Sequence, residues 1–257
     1  MTTTTVRGTP IYHEIHGAGE PVLLLHGGFC SLEMMRPQME ALAQDYTVCA
    51  PERPGHGRSP DVPGAITYSE SVADTIAYLD EIGLADAHIV GFSDGAIIGL
   101  LLALQHPGRV RSLVAISGNL DPSGFVERDP DTEISEEADA SADPDRSREL
   151  YNRLSPDGPE HADVVLDKLM HLWTTEPAID AADLAAVAVP TMIMAGDHDV
   201  VRLDHSALIA ASISGARLCI VPGAGHGLLD ERGDFVTFVV RDFLRDRWDS
   251  AAVSAGG

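Results

Sequence analysis

The chain has 257 residues, of which 44% are hydrophobic and 22% are charged. This length suits one α/β domain that carries an insertion, and the composition is that of an ordinary globular protein. The formal net charge at pH 7 is −23. Because so acidic a surface repels phosphate groups, we expect neither nucleic acids nor anionic membranes as partners.

The cysteines and the N-terminal segment exclude further classes. Cys30, Cys49 and Cys219 are too few and too scattered for a disulfide framework or a metal site. Residues 1–5 are polar and no apolar signal segment follows them, nor does any run of about twenty apolar residues occur. We therefore expect a cytoplasmic protein that acts on a small molecule without a cofactor or metal; a homo-oligomer is compatible with the sequence.

The first half of the chain alternates between apolar runs and helical periodicity. In chain order we expect an antiparallel edge pair at 3–7 and 11–16, a strand at 22–25, a helix at 32–43, a strand at 46–50, a helix at 68–82, a strand at 87–91, a helix at 93–106 and a strand at 110–116. This alternation predicts an α/β fold with a mostly parallel sheet and helices on both faces.

The alternation fails between residues 117 and 187 and resumes afterwards. Helices are predicted at 146–154 and 161–174, and then a strand at 191–195, a helix at 205–212, a strand at 217–221 and a helix at 233–247. We interpret 121–187 as a helical cap inserted between the two parts of one core domain, 1–120 and 188–257. Such a cap would lie over the carboxyl ends of the strands, where open α/β sheets bind ligands.

A Gly-x-Ser-x-Gly segment, 91–95, joins the predicted strand at 87–91 to the helix that follows. Small residues on either side of Ser93 let the strand and the helix approach while the serine occupies a strained turn. The hydroxyl then projects into a cleft, and the helix N-terminus favours developing negative charge. A serine hydroxyl needs a base, and the base needs a third group to orient it.

Two later strand ends supply candidates for these partners. His226 follows the strand at 217–221 among glycines, where nothing bulky could bury it as a core residue. Asp197 and Asp199 both follow the strand at 191–195, and either could reach an imidazole. We favour Asp199, which lies deeper in the loop, and expect Asp197 to accept hydrogen bonds from loop amides.

With these motifs the chain resembles the α/β-hydrolases over nearly its whole length. Five motifs occur in the order typical of that family: His26-Gly27-Gly28-Phe29, the turn from Arg53 to Ser59, Gly91 to Gly95, Gly196 to Asp199, and Gly223 to His226. One departure is Glu52, where the family more often has Asp.

The resemblance implies a role for each matching residue. It implies Ser93 as the nucleophile, His226 as the general base and then acid, and Asp199 as the carboxylate that orients it. It also implies an oxyanion hole formed by the backbone N–H of Asp94 and that of Gly28 or Phe29.

The expected activity is that of a serine esterase with a cap, which cleaves carboxylic esters of small to medium substrates through an acyl-enzyme on Ser93. C–C bond or lactone hydrolysis with the same triad stays open, as does a non-catalytic binding protein on this fold. The Ser-Asp-Gly sequence is similar to that of valacyclovir-hydrolase-like esterases, in which a carboxylate near the nucleophile suits ammonium-bearing substrates. For Asp94 we favour the plainer alternative, a surface or helix-N-terminal residue that interacts with the helix dipole.

Four side chains are candidates for the wall of a substrate pocket. Met34 and Met35 follow the predicted oxyanion loop, and flexible thioether side chains suit an adaptable wall. Met170 and Trp173 belong to an apolar stripe in the predicted cap, which is more typical of a core than of a substrate wall.

Overall fold

The structure, a computed structural model, describes residues 2–126 and 144–246. Residues 127–143, the middle of the predicted cap's acidic stretch, and the predicted end of the last helix at 247 lie outside this part. Within it, eight strands form one sheet in the order β1-β2-β4-β3-β5-β6-β7-β8. The strands are β1 (Thr2–Val6), β2 (Thr9–Gly17), β3 (Pro21–Leu25), β4 (Thr47–Pro51), β5 (Ala87–Phe92), β6 (Val110–Ile116), β7 (Thr191–Gly196) and β8 (Arg217–Val221).

The direction of strand pairing confirms the predicted sheet. Strand β2 pairs antiparallel with β1 and with β4, and every other pair of neighbours in the described sheet is parallel. The carboxyl ends of the parallel strands therefore meet at one edge, which is where the sequence motifs place their polar residues.

Helices cover both faces of this sheet. They are α1 (Arg36–Leu42), α2 (Tyr68–Glu81), α3 (Asp94–Gln105), α4 (Pro144–Leu154), α5 (Ala162–Thr175), α6 (Leu203–Ser212), α7 (Leu228–Glu231) and α8 (Gly233–Arg245). The helix predicted at 32–43 is divided into a 3-10 turn, Leu32–Met35, and α1. Pro37 lies in the first turn of α1 and has no N–H to continue the upstream hydrogen-bond pattern. None of the described helices is long and apolar enough to cross a membrane.

Alternate strand residues enter two separate cores. Leu23 of β3 packs in the core that also contains residues of α2, α3 and α5, whereas Leu24 packs in the core that contains residues of α1 and α8. This alternation follows from the two-residue side-chain period of a strand, and it leaves the central strands buried on both faces.

The insertion between β6 and β7 contains α4 and α5, close to the helices predicted there. Helix α5 buries Val165 and Leu169 in the first of the two cores. Its Lys168 Nζ donates to Asp61 Oδ2 at 2.6 Å, which ties the insertion to the loop after β4. The boundaries of the cap at 121 and 187 stay a prediction.

Two glycines allow β5, α3 and β3 to approach each other. A Cβ at Gly91 would overlap the carbonyl oxygen of Gly95, and a Cβ at Gly95 would overlap that of Leu25. The small residues of the Gly-x-Ser-x-Gly segment are thus required by backbone contacts on both sides of Ser93.

We expect Gly95→Ala to lower the free energy of unfolding by about 1–3 kcal/mol, because the methyl group forces the helix away from β3. In a domain of this size each kcal/mol lowers Tm by roughly 2–4 °C, which thermal unfolding followed by circular dichroism measures. Gly108→Ala is the matched control, since no described atom lies within 4 Å of its added Cβ. Equal Tm values for the two variants would contradict this account of the turn.

Candidate active site

Three side chains from separate strand ends form one hydrogen-bonded chain. Ser93 follows β5, Asp199 follows β7 and His226 follows β8. His226 Nε2 lies 3.1 Å from Ser93 Oγ, and His226 Nδ1 lies 2.8 Å from Asp199 Oδ1. The structure thus brings together the three residues that the sequence singled out, although they are separated by up to 133 positions.

Ser93 has a backbone conformation that few non-glycine residues adopt. Its φ is 54° and its ψ is −117°, and it directly precedes α3 as the N-cap residue. The backbone N–H donates to the carbonyl oxygen of Ile116 at 2.8 Å, which ties this turn to the end of β6. Such strain persists only where the surroundings fix it, and it concentrates at functional turns.

Asp199 is held by four donors. Oδ1 accepts from His226 and from the Val201 N–H at 3.1 Å, and Oδ2 accepts from Ser117 Oγ at 2.5 Å and from the Gly196 N–H at 3.3 Å. Burial opposes ionisation of this carboxyl, which is 6% exposed, but His226 and the other donors keep its pKa below the ordinary value. A carboxylate in this setting fixes the orientation of the imidazole and favours its protonated form.

The neighbouring Asp197 does not reach His226. Its Oδ1 accepts from the Ala224 N–H at 3.1 Å and lies 2.7 Å from Nδ1 of His198. This is the loop-amide role predicted for it, and it separates the two acid candidates.

Ser117 is a residue that the sequence reasoning missed. It is buried, has a φ of 56°, and donates its hydroxyl hydrogen to Asp199 Oδ2. It directly follows β6, which lies between β5 and β7 in the sheet. The strands on either side of β6 lead to Ser93 and Asp199. A polar residue at the carboxyl end of β6 could therefore have been identified as part of the site.

The candidate oxyanion donors lie next to the serine. The backbone N–H groups of Gly28, Phe29 and Asp94 donate to no other described residue. Phe29 has a φ of 49°, and a Cβ at Gly27 would lie 3.3 Å from the Cβ of Ser93. Unpaired N–H groups around a nucleophile are what a developing oxyanion requires.

Asp94 is the first residue of α3, as one of the two predicted alternatives has it, but its carboxylate is not on the surface. It is 3% exposed rather than on the surface, and Oδ1 accepts from the Tyr68 hydroxyl and from Trp173 Nε1, both at 2.9 Å. Oδ2 lies 3.6 Å from Nη2 of Arg53. Because these groups already surround the carboxylate, a substrate ammonium would have to displace them.

A cavity of about 480 Å³ adjoins the predicted oxyanion loop. Its lining includes Phe29, Cys30, Met34 and residues of α4, whereas Ser93, Asp199 and His226 are not part of it. The Phe29 ring stacks on Tyr151 of α4, with centroids 5.3 Å apart and planes 12° apart. Met34 therefore lines a cavity beside the oxyanion loop, and its role as a substrate-pocket wall stays a prediction.

Two of the other pocket candidates are corrected by their burial. Met35 is 1% exposed and is buried in the core with residues of α1 and α8, against which the partly buried Met34 also packs. Met170 is 53% exposed, on the outer side of α5. Trp173 does face the site, because its indole N–H reaches Asp94 and its ring lies against Gly28.

Within residues 2–126 and 144–246, no group of three or more His, Cys, Asp or Glu side chains is arranged to hold a metal ion. Burial raises the pKa of the Cys30 thiol to about 12, so this cysteine beside the cavity is protonated at neutral pH.

Comparison with known proteins places these features in a family. The model of the Alpha/beta hydrolase family matches residues 22–237. A protein of Azorhizobium caulinodans named for carbamate hydrolysis, RutD, is 32% identical over 234 residues, which cover 84% of this chain and 88% of that protein. A non-heme haloperoxidase of Rhodococcus erythropolis is 28% identical over 94% of this chain and 98% of its own length.

Solved structures show the same fold. The enol-lactonase of Burkholderia xenovorans LB400 superposes with a TM-score of 0.77 at 24% identity, covering 95% of this chain and all of that one. Est816, an N-acyl homoserine lactone degrading enzyme, gives a TM-score of 0.76 at 23% identity, with 94% and 100% coverage.

Proposed function

Since the chain belongs to the α/β-hydrolase family, we propose that it is a serine hydrolase that cleaves carboxylic esters of small to medium substrates. The observation that carries this proposal is the hydrogen-bonded chain from Ser93 through His226 to Asp199. In support, the turn after β5 is a Gly-x-Ser-x-Gly segment with a serine, rather than an aspartate, at the position of the nucleophile.

In the proposed reaction, Ser93 Oγ attacks the ester carbonyl carbon while His226 Nε2 accepts the hydroxyl proton. With Nδ1–H donated to Asp199, Nε2 carries the lone pair that this transfer needs. The imidazolium then gives the proton to the departing alcohol, which leaves an acyl-enzyme on Ser93. A water molecule, deprotonated by His226, releases the acid and restores the serine.

The tetrahedral intermediate carries a negative charge on the former carbonyl oxygen. The N–H groups of Asp94 and of Gly28 or Phe29 are the proposed donors to that oxygen. Losing one such donor costs roughly 3 kcal/mol of transition-state stabilisation. Helix α3 begins at Asp94, so its dipole adds to the same stabilisation.

We also propose that the insertion at 121–187 acts as a cap that restricts the size of the substrate. In support, Trp173 of α5 contacts the Asp94 carboxylate, and Tyr151 of α4 stacks on Phe29 of the oxyanion loop. Both helices therefore contact residues next to Ser93 or in the predicted oxyanion loop.

A second candidate is hydrolysis of a carbamate, which the 32% identity with RutD favours. The same serine would attack a carbonyl carbon that carries nitrogen, and a carbamoyl-enzyme would replace the acyl-enzyme. Because the transition states have the same shape and charge, this arrangement of side chains suits either substrate.

Covalent labelling tests the nucleophile first. We expect a fluorophosphonate to add one label per chain, on the peptide that contains Ser93, as measured by mass spectrometry. Ser93→Ala and heat-denatured wild type are the controls and are expected to stay unlabelled. An unlabelled, folded wild-type protein would contradict the serine hydrolase and favour a binding protein on this fold.

Product analysis then separates the substrate classes. Untreated wild-type protein is assayed on matched panels of p-nitrophenyl esters of increasing acyl length, carbamates, lactones and diketones. We expect the highest kcat/KM on short and medium esters; a clear preference for carbamates would establish the second candidate instead.

A further inference from the structure

The carbonyl oxygen of Gly27 is held by two side chains. His26 Nδ1 lies 2.7 Å from it and Arg53 Nη2 donates to it at 2.9 Å. His26 Nε2 accepts from the Arg53 backbone N–H at 3.1 Å, so the ring hydrogen is on Nδ1 and points at the carbonyl. The Gly27 carbonyl is thus fixed by two donors from the chain that surrounds it.

Fixing this carbonyl also fixes the Gly28 N–H, a candidate oxyanion donor. The two groups belong to one planar peptide unit, and in a trans peptide they point in opposite directions. Among the described residues the cis peptide is at Glu176-Pro177, so the Gly27–Gly28 unit is trans. Any rotation of this unit would therefore turn the N–H as well as the carbonyl.

The burial of Arg53 costs desolvation free energy. It is 8% exposed, its only ion pair among the described residues is with Asp94, and its Nε has no hydrogen-bond partner there. A buried guanidinium whose donors are incompletely paired contributes little to stability, since desolvation offsets the attraction. Its hydrogen bond to the Gly27 carbonyl indicates a role in holding the Gly27–Gly28 peptide instead.

Asp94 is itself fixed from two other elements. Tyr68, at the start of α2, and Trp173, in α5, both donate to Oδ1. Oδ2 is left to face Arg53 and the Cα of Gly28, where a Cβ would lie 2.5 Å from this oxygen. The carboxylate therefore sets the place of the guanidinium and supports the loop directly.

We propose that Arg53 and Asp94 are positioning residues that act as one unit to hold the Gly28 N–H toward the oxyanion. This inference rests on the proposed serine-hydrolase function and adds two residues to it. It gives the Asp94 side chain a role in the reaction without contact with the substrate.

The first test compares Arg53→Met, Asp94→Asn and the double variant. We expect kcat for the best ester of the panel to fall by about 10- to 100-fold in each single variant, within the range for the loss of one oxyanion donor. KM changes less than about threefold, because the donor acts on the transition state rather than on the bound substrate. The rate constant of fluorophosphonate labelling falls in parallel, and the double variant is no slower than the worse single variant.

Asp94→Asn keeps an acceptor for Tyr68 and Trp173, so the docking of α5 can be monitored separately. The chain has two tryptophans, Trp173 and Trp248. In a Trp248→Phe background the fluorescence reports Trp173 alone, and we expect its emission maximum to be unchanged by Asp94→Asn. A shifted emission with a matching loss of kcat would overturn the proposal in favour of a displaced helix.

Arg58→Met is the matched control, because this arginine lies on the same turn and pairs with Glu52 at 2.7 Å, away from Gly27. It is expected to lower Tm while kcat stays within twofold of wild type. Should Arg53→Met not fold, Arg53→Lys decides: it keeps the charge, but its ammonium lacks the planar fork of donors, so kcat falls in the same direction.

The failure of this inference and that of the proposed function give different results. An unlabelled wild type would remove the hydrolase function and the inference together. The positioning role alone would be overturned if the wild type is labelled but the Arg53 and Asp94 variants react at the wild-type rate. The same holds if their kcat falls no further than that of Arg58→Met.

Discussion

Replacing Ser93 with alanine is expected to lower kcat for a carboxylic ester by about 10⁴-fold or more, because no other group can form the acyl-enzyme. The described structure gives Ser93 Oγ one hydrogen bond, to His226, so little stability is lost with it. Alanine keeps the Cβ, and the strain at a φ of 54° is the same for both residues. Steady-state kinetics with circular dichroism of the purified variant measures the two effects separately.

The control for this variant is Ser212→Ala, at the end of α6, where the hydroxyl donates to the Leu208 carbonyl oxygen. It should retain full activity. If Ser93→Ala stays within tenfold of wild type and is folded, the ester is cleaved by another group and the acyl-enzyme mechanism is wrong.

Asp199→Asn is expected to reduce kcat by roughly 10³- to 10⁴-fold with a small effect on KM. Each carboxylate oxygen accepts from two of the four donors, so the NH₂ group of an asparagine faces either His226 and the Val201 N–H or Ser117 and the Gly196 N–H. Facing His226, that group would force the ring hydrogen onto Nε2, which could then no longer accept the proton of Ser93. Kinetics on the ester used for Ser93→Ala measures this loss.

Asp197→Asn provides the matched control, because it makes the same chemical change two residues away on a carboxylate that binds the Ala224 N–H. We expect its kcat to stay near that of wild type. Ser117→Ala removes one of the four donors and should cause an intermediate loss. If Asp197→Asn lowered kcat more than Asp199→Asn, Asp197 rather than Asp199 would be the carboxylate that orients His226.

Much of the fold could be predicted because its signals are local. The buried strands and the glycines around Ser93 depend on residues within one strand or one turn, and the structure has them within a residue or two of the predicted bounds. The proximity of His226 and Asp199 followed from a simple rule, that parallel strands bring their carboxyl ends to one edge.

The parts that could not be predicted depend on contacts between distant segments. Ser117 and Asp199 are 82 positions apart, and Trp173 meets Asp94 over 79 positions, so neither pair has a signal in its own neighbourhood. The sequence also does not fix the direction in which a side chain leaves a short turn. For that reason Met34 lines the cavity while the adjacent Met35 is in the core.

Two of the contacts that the inserted helices make with the core have a consequence for recombination between homologous genes. Tyr151 rests on Phe29, and Trp173 donates to a carboxylate at the start of α3. A chimaera that exchanged only the segment between β6 and β7 would separate each of these aromatic side chains from its matching partner. The insertion is therefore not an interchangeable module, and a crossover that preserves turnover must carry the residues at positions 29 and 94 along with it.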